Sequence, residues 1–171
     1  ALRRVGAMLR PTVGARWPLL VQGEAPRDHL LRRFRDLGNA VLLGTDSFWE
    51  GVDVPGRSLR ALVLAKLPFK VPSEPITAAR LEALQAQGID GFNHYLLPLA
   101  ALKLKQGFGR LIRSKTDIGV IVLLDHRVVT RRYGEVLLAS LPPAERVVAP
   151  WGQIRSRVEE FFALHGIGAP T

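Results

Sequence analysis

A three-layer α/β domain with a mainly parallel sheet is the fold class this sequence predicts, on three observations. Four short runs, Leu19-Leu20-Val21, Ala40-Val41-Leu42-Leu43, Ala61-Leu62-Val63-Leu64 and Gly119 through Leu124, are apolar on both faces, as strands of a buried parallel sheet must be. Helical stretches with one apolar face alternate with them, which argues for right-handed crossover connections. The chain has 171 residues, 47% of them hydrophobic, and no Cys. A chain this long buries roughly 70% of its unfolded surface, enough for one core without disulfides or Cys-bound metals as staples.

Each element has its own signal. Leu2 to Leu9 shows helical spacing with no N-cap before it, so the chain reads as a piece that begins inside a helix. Between the first two strand runs, Pro26 to Phe34 places Pro at a first turn and apolar residues at 30, 31 and 34, a helix with one buried face. Pro68, Pro72, Pro75 and Gly88 punctuate an irregular excursion after the third strand. Longer helical patterns follow at 76–88, 92–113, 127–140 and 152–164. A single domain over 1–171, with a frayed tail at 166–171, is the expected organisation.

Charge narrows the function. There are 24 Lys plus Arg against 15 Asp plus Glu, a formal net charge of +9. The excess lies at the two ends of the chain, and five basic residues with no acid fall within Lys103–Lys115, a polyanion-type footprint whose bland reading is a solvated helix face. Arg outnumbers Lys by 19 to 5, which suits phosphate recognition but is also a genomic composition habit. No apolar run reaches the roughly 18 residues a bilayer span needs, and the start lacks a signal peptide's apolar region, so a cytoplasmic location is expected. His29, His94, His126 and His165 lack metal-ligand spacing, and no metal site is expected.

The most informative segment runs from Leu102 to Ser114. Wound at about 100° per residue, it places Gln106 at 0°, Arg110 at about 40°, Arg113 at about −20° and Lys103 at about 60°. Leu104, Phe108, Leu111 and Ile112 fall on the opposite side, and Gly107 and Gly109 flank the polar stripe. Each glycine inside a helix costs roughly 1 kcal/mol relative to Ala, so two within a turn need a reason. One reason is close approach of a ligand, with two Arg placed to grip a phosphate and neutralise charge as a phosphoryl bond breaks. The other is a helix that packs its glycines against a neighbour.

A second polar segment follows the second strand: Gly44-Thr45-Asp46-Ser47-Phe48-Trp49-Glu50-Gly51-Val52-Asp53-Val54-Pro55-Gly56. In an open parallel sheet, ligands bind at the carboxyl edge where such segments lie. Thr45 and Ser47 offer hydroxyls and free backbone N–H groups suited to a nucleic-acid phosphate or sugar. Glu50 and Asp53 offer carboxylates for a ribose hydroxyl, a water or an Arg. Phe48 and Trp49 are stacking candidates for bases, but at least one ring is expected to anchor the loop to the core instead. Asp125-His126-Arg127 ends the fourth strand, where Asp125 either caps the following helix or faces another domain.

Together, GTDSFWEGVDVPG, QGFGRLIRS and a strand ending in LLDHR resemble the second motor domain of DinG and XPD-like superfamily 2 DNA helicases, with the DinG side closer. The resemblance spans about residues 19–141. It implies a RecA-like fold of the P-loop NTPase type that lacks its own P-loop and faces a partner motor domain across ATP with Mg2+. It also implies that Thr45 and Ser47 touch single-stranded DNA, with Phe48 the stacking candidate beside them, and that Glu50, Gly51 and Asp53 lie toward the nucleotide. Gln106 and Gly109 would contact nucleotide, and Arg110 and Arg113 would serve as arginine fingers. Family members move 5′ to 3′ on single-stranded DNA in repair or replication-conflict settings. The chain contains no G-x-x-x-x-G-K-[ST] loop and no D-E-A-H segment, so it would supply half of a composite ATP site and be inactive alone. With no Cys, any iron–sulfur cluster would lie elsewhere in a longer chain. The alternatives are a non-enzymatic nucleic-acid-binding domain of the same fold, or a scaffold for protein partners that leaves the two-glycine basic helix unexplained.

Overall fold

The structure, a computed structural model, describes residues 2–45, 48, 58–113 and 116–167. The chain divides into two compact units, residues 1–141 and 142–171. In order, the first unit contains α1 (Leu2–Leu9), β1 (Leu19–Val21), α2 (Arg27–Leu37), β2 (Val41–Leu43), β3 (Ala61–Leu64), α3 (Pro75–Ala86), a π-helical turn (Phe92–Leu96), α4 (Leu97–Leu111), β4 (Val120–Leu123), α5 (Arg127–Thr130) and α6 (Arg132–Ala139). The second contains α7 (Trp151–Leu164).

All four strands pair in parallel, as their doubly apolar sequences require. β1 pairs with β2 in the register Leu19 to Val41 through Val21 to Leu43, and β3 with β4 from Ala61 with Val120 to Leu64 with Leu123. Among the described residues these are two separate two-stranded ladders rather than one continuous sheet. α2 connects β1 to β2. It ends at Gly38, whose φ of 68° is the left-handed cap conformation that glycine adopts without a Cβ penalty.

Two apolar clusters form the interior. Leu20, Leu30, Leu31, Phe34 and Phe48 pack together around β1 and α2. Leu64, Leu67, Leu97, Ala100, Leu104, Val128 and Leu137 pack around β3, α4 and α6. The α4 members recur at intervals of three and four residues, so one stripe of the helix is buried. Each such Leu contributes about 1.5–3 kcal/mol by leaving water.

Two expected helices differ in detail. The 92–113 pattern opens as a π turn, in which the Leu97 N–H reaches back to the Phe92 carbonyl. Pro98 stands in the first turn of α4 and brings no N–H to an ordinary helical bond, so the wider turn falls where the ladder is already interrupted. The pattern at 127–140 breaks at Arg131, whose backbone is extended, splitting α5 from α6. Val128, Val129 and Thr130 are β-branched and propagate a helix poorly. The break also lets the pieces fold closely together: a Cβ on Gly134 would lie 1.9 Å from the Val128 carbonyl oxygen.

In the second unit α7 begins after Pro150 and carries the Arg155–Glu159 pair at 2.8 Å, one turn apart. Phe161 and Phe162 stack edge to face at 5.6 Å. None of the residues of α7 is buried.

Candidate functional site

α4 separates its two faces sharply. Leu104, Gly107 and Leu111 are buried, whereas Lys105, Gln106 and Gly109 are exposed and Arg110 is half-buried. Gln106 and Arg110 thus stand one turn apart on the open side, as the sequence periodicity places them. The two glycines have different reasons. Gly107 faces the interior, but a Cβ on Gly109 would meet no described atom within 4 Å. No packing among the described residues accounts for Gly109, and the helix bears its cost on the open side beside Gln106 and Arg110.

Arg113 departs from the helical wheel. α4 stops at Leu111, and Ile112 has φ −114° and ψ 107°, which is extended. The angle of about −20° assumed a helix through Arg113 and no longer applies. Its backbone N–H donates to Asp117 Oδ2 at 2.8 Å. Asp117 thereby receives an amide freed at the helix end, a role with no clear signal in the sequence. Arg110 lies in the last turn, where its charge also favours the helix dipole.

The carboxyl edge of the β1–β2 pair carries the second cluster. Thr45 is the second residue after β2, and both its backbone N–H, at 2.7 Å, and its hydroxyl, at 3.0 Å, donate to Gln22 Oε1. The N–H expected to be free for a phosphate is therefore engaged. The Thr45 carbonyl in turn accepts from the Phe48 N–H at 2.9 Å. Gln22 is the first residue after β1 and pairs its own N–H with the Leu43 carbonyl. Its amide was not marked by any pattern in the sequence, because its partner is 23 residues away.

Phe48 corrects the stacking expectation. Its ring is 5% exposed and belongs to the cluster of Leu20, Leu30, Leu31 and Phe34. Of the two readings open to it, core anchor is the one observed, because burying an aromatic ring outweighs leaving it in water for a base to cover. A Cβ on Gly44 would approach Phe48 Cβ and Cγ to 3.0 Å, so glycine there leaves room for the anchor. Ser47, Glu50, Gly51 and Asp53 lie outside the described residues.

At the carboxyl edge of the β3–β4 pair, Asp125 is only 8% exposed and fully satisfied. Its Oδ2 accepts from the Leu67 N–H at 3.0 Å and from Arg127 Nη2 at 2.6 Å, and its Oδ1 from Arg127 Nε at 2.9 Å. It also accepts the N–H of Arg127, the first residue of α5, at 3.2 Å, while His126 stands at the cap position of that helix. The guanidinium of Arg127 holds the Asp125 carboxyl well below the usual carboxylate range, burial opposes this, and the two backbone donors add to it. The same pairing raises Arg127 above its ordinary value. Arg127 also lies over the Phe69 ring at 5.9 Å, where Phe69 stacks on Phe92 and Tyr133 meets Phe69 edge to face. The arrangement ties the exit of β4 to the exit of β3.

Among the described residues no group of three or more His, Cys, Asp or Glu side chains is placed to hold a metal ion. No described helix is long and apolar enough to cross a membrane.

Comparison with known proteins assigns this architecture. The model of the helicase C-terminal domain family matches residues 1–144. The chain belongs to that family. Among curated relatives, the helicase domain is 50% identical over 129 residues to the ATP-dependent DNA helicase YoaA of Escherichia coli, covering 75% of this chain and 20% of that protein. It is 43% identical over 152 residues to the ATP-dependent DNA helicase DinG of Photobacterium profundum, covering 86% and 22%. It is also 43% identical over 113 residues to the 3′-5′ exonuclease DinG of Bacillus subtilis, covering 66% and 12%. The chain thus spans about a fifth of the length of the helicases it matches.

Proposed function

We propose that this domain is the second motor half of a DinG-like, ATP-dependent DNA helicase with a three-layer, RecA-like core. In that role it closes on a first motor half across ATP and contacts single-stranded DNA. The observation that carries this reading is α4: Gln106, Gly109 and Arg110 share an open polar surface whose glycine no described packing accounts for. The names of the YoaA and DinG relatives supply the reaction.

ATP fits this surface by its chemistry. The carboxamide of Gln106 offers both a donor and an acceptor, the guanidinium of Arg110 offers paired donors for phosphate oxygens, and Gly109 lets a ligand approach the helix. Arg110 and Arg113 act as arginine fingers: each brings positive charge to the phosphate oxygens as the terminal phosphoryl bond breaks, which lowers the barrier without moving a proton. Arg113 reaches its place from the extended segment after α4. Glu50, Gly51 and Asp53 complete the nucleotide side, and Thr45 and Ser47 the DNA side. Mg2+ bound with the nucleotide would neutralise phosphate charge, and among the described residues no group of three or more His, Cys, Asp or Glu side chains is placed to hold it. Translocation runs 5′ to 3′, and the protein serves DNA repair in the cytoplasm.

Substitution Arg113→Ala in the full-length protein tests the assignment. ATP-driven unwinding is expected to be lost while most single-strand affinity remains, because the task of Arg113 is transition-state charge. A DNA-stimulated ATPase rate equal to wild type refutes the finger assignment. An intact ATPase in both Arg110→Ala and Arg113→Ala favours a domain that only binds nucleic acid.

A further inference from the structure

The geometry at the β1–β2 edge points to Gln22 as a latch that occupies the DNA-binding donors of Thr45 until a phosphate displaces it. This inference rests on the reading of Thr45 as a DNA contact. A phosphate oxygen only accepts hydrogen bonds, so Thr45 can hold one only through its N–H and its hydroxyl proton. Both converge on a single oxygen, Gln22 Oε1, at 2.7 and 3.0 Å. That oxygen therefore stands where a phosphate oxygen bound by the same two donors would stand.

The backbone on both sides is built to keep the latch in place. The Gln22 N–H is bound to Leu43 in the ladder at 2.9 Å. Gly23, with φ +90°, turns the chain immediately afterwards, and the Glu24 N–H closes that turn on the Val21 carbonyl at 3.1 Å. The side chain of Gln22 is thus presented at the carboxyl edge from a fixed backbone. Thr45 is held from its other side by the Phe48 N–H, and Phe48 is anchored in the core. The donors of Thr45 consequently stay in position when the amide leaves. The exchange trades two neutral hydrogen bonds for two to a charged oxygen, which are stronger.

The test measures single-strand affinity in the full-length protein, without nucleotide, using a fluorescein-labelled oligothymidylate. Gln22→Met removes the acceptor and keeps the side-chain length. Each bond lost is worth a small net amount over its water replacement, so affinity should rise about three- to tenfold. Gln22→Glu retains an acceptor and must not tighten binding. Thr45→Val alone should weaken binding, and in that background the gain from Gln22→Met should shrink, since the hydroxyl it releases is gone. An unchanged melting temperature for Gln22→Met shows that the effect is not structural, and if that variant unfolds, the Gln22→Glu and Thr45→Val comparison carries the decision. Unchanged or weaker binding by a folded Gln22→Met, or tightening by Gln22→Glu, overturns the latch while leaving Thr45 as a DNA contact. An unchanged affinity in Thr45→Val overturns both.

Discussion

Replacing Gly109 by Ala separates the two explanations for a glycine in a basic helix. The added methyl enters space with no described atom within 4 Å, so nothing among the described residues has to rearrange. Gly is less favourable than Ala inside a helix by about 0.5–1 kcal/mol, and this part of the cost should be recovered. For a domain of this size that corresponds to a rise in melting temperature of about 1–4 °C. If nucleotide approaches the helix at this point, the same methyl stands between ligand and backbone, and a loss of about 1.4 kcal/mol in transition-state binding lowers ATPase activity tenfold. The assay pairs thermal unfolding with steady-state, DNA-stimulated ATPase in the full-length protein. A stabilised variant with undiminished turnover refutes the argument, because the glycine would then be neither packed nor used. Gly134→Ala is the internal contrast. Its Cβ would sit 1.9 Å from the Val128 carbonyl oxygen, so it should destabilise by several kcal/mol, and a melting temperature equal to wild type would contradict the close fit of α5 on α6.

Three further outcomes follow from the same geometry. Asp125→Asn should cost about 1–3 kcal/mol, a range lowered because Arg127 is 39% exposed, and chemical unfolding measures it. The folded carboxyl of Asp125 titrates below its unfolded value, so its contribution is complete above the unfolded value of about 3.9 and fades as the pH falls through the lower folded one. The wild type should therefore lose its advantage over Asp125→Asn on acidification, and a difference that stays constant down to acid unfolding counts against the clamp. Phe48→Leu should lower stability by about 1 kcal/mol yet leave single-strand affinity unchanged, since the ring is in the core; weaker DNA binding in a folded variant would restore the stacking role. Single-strand binding should weaken steeply between low and moderate salt, as Lys and Arg contacts to phosphate require, and a flat salt titration would contradict them.

The positions of the four strands and of most helices were legible because they depend on local periodicity. Doubly apolar runs favour parallel ladders, and the four described strands pair in parallel, although Ala61 and Val63 of β3 stay exposed. The placement of Gln106 and Arg110 on one side of α4 was legible for the same reason, since residues four apart on a helix share a face. The periodicity that placed Arg113 on that face says nothing about where a helix ends. The amide freed there finds Asp117, a partner beyond the helical segment.

What the sequence by itself determined is the strand and helix inventory, the open basic face of α4 and the family to which the motifs belong. Tertiary structure alone decided which side chains meet across distance. Thr45 is bound by Gln22, 23 residues away, and Asp125 holds Leu67, 58 residues away. Of the adjacent rings Phe48 and Trp49, the first is the core anchor. The physical reason is the same in each case. Buried or converging polar groups are satisfied by whichever partner the folded chain brings within about 3 Å, and no local pattern encodes that partner.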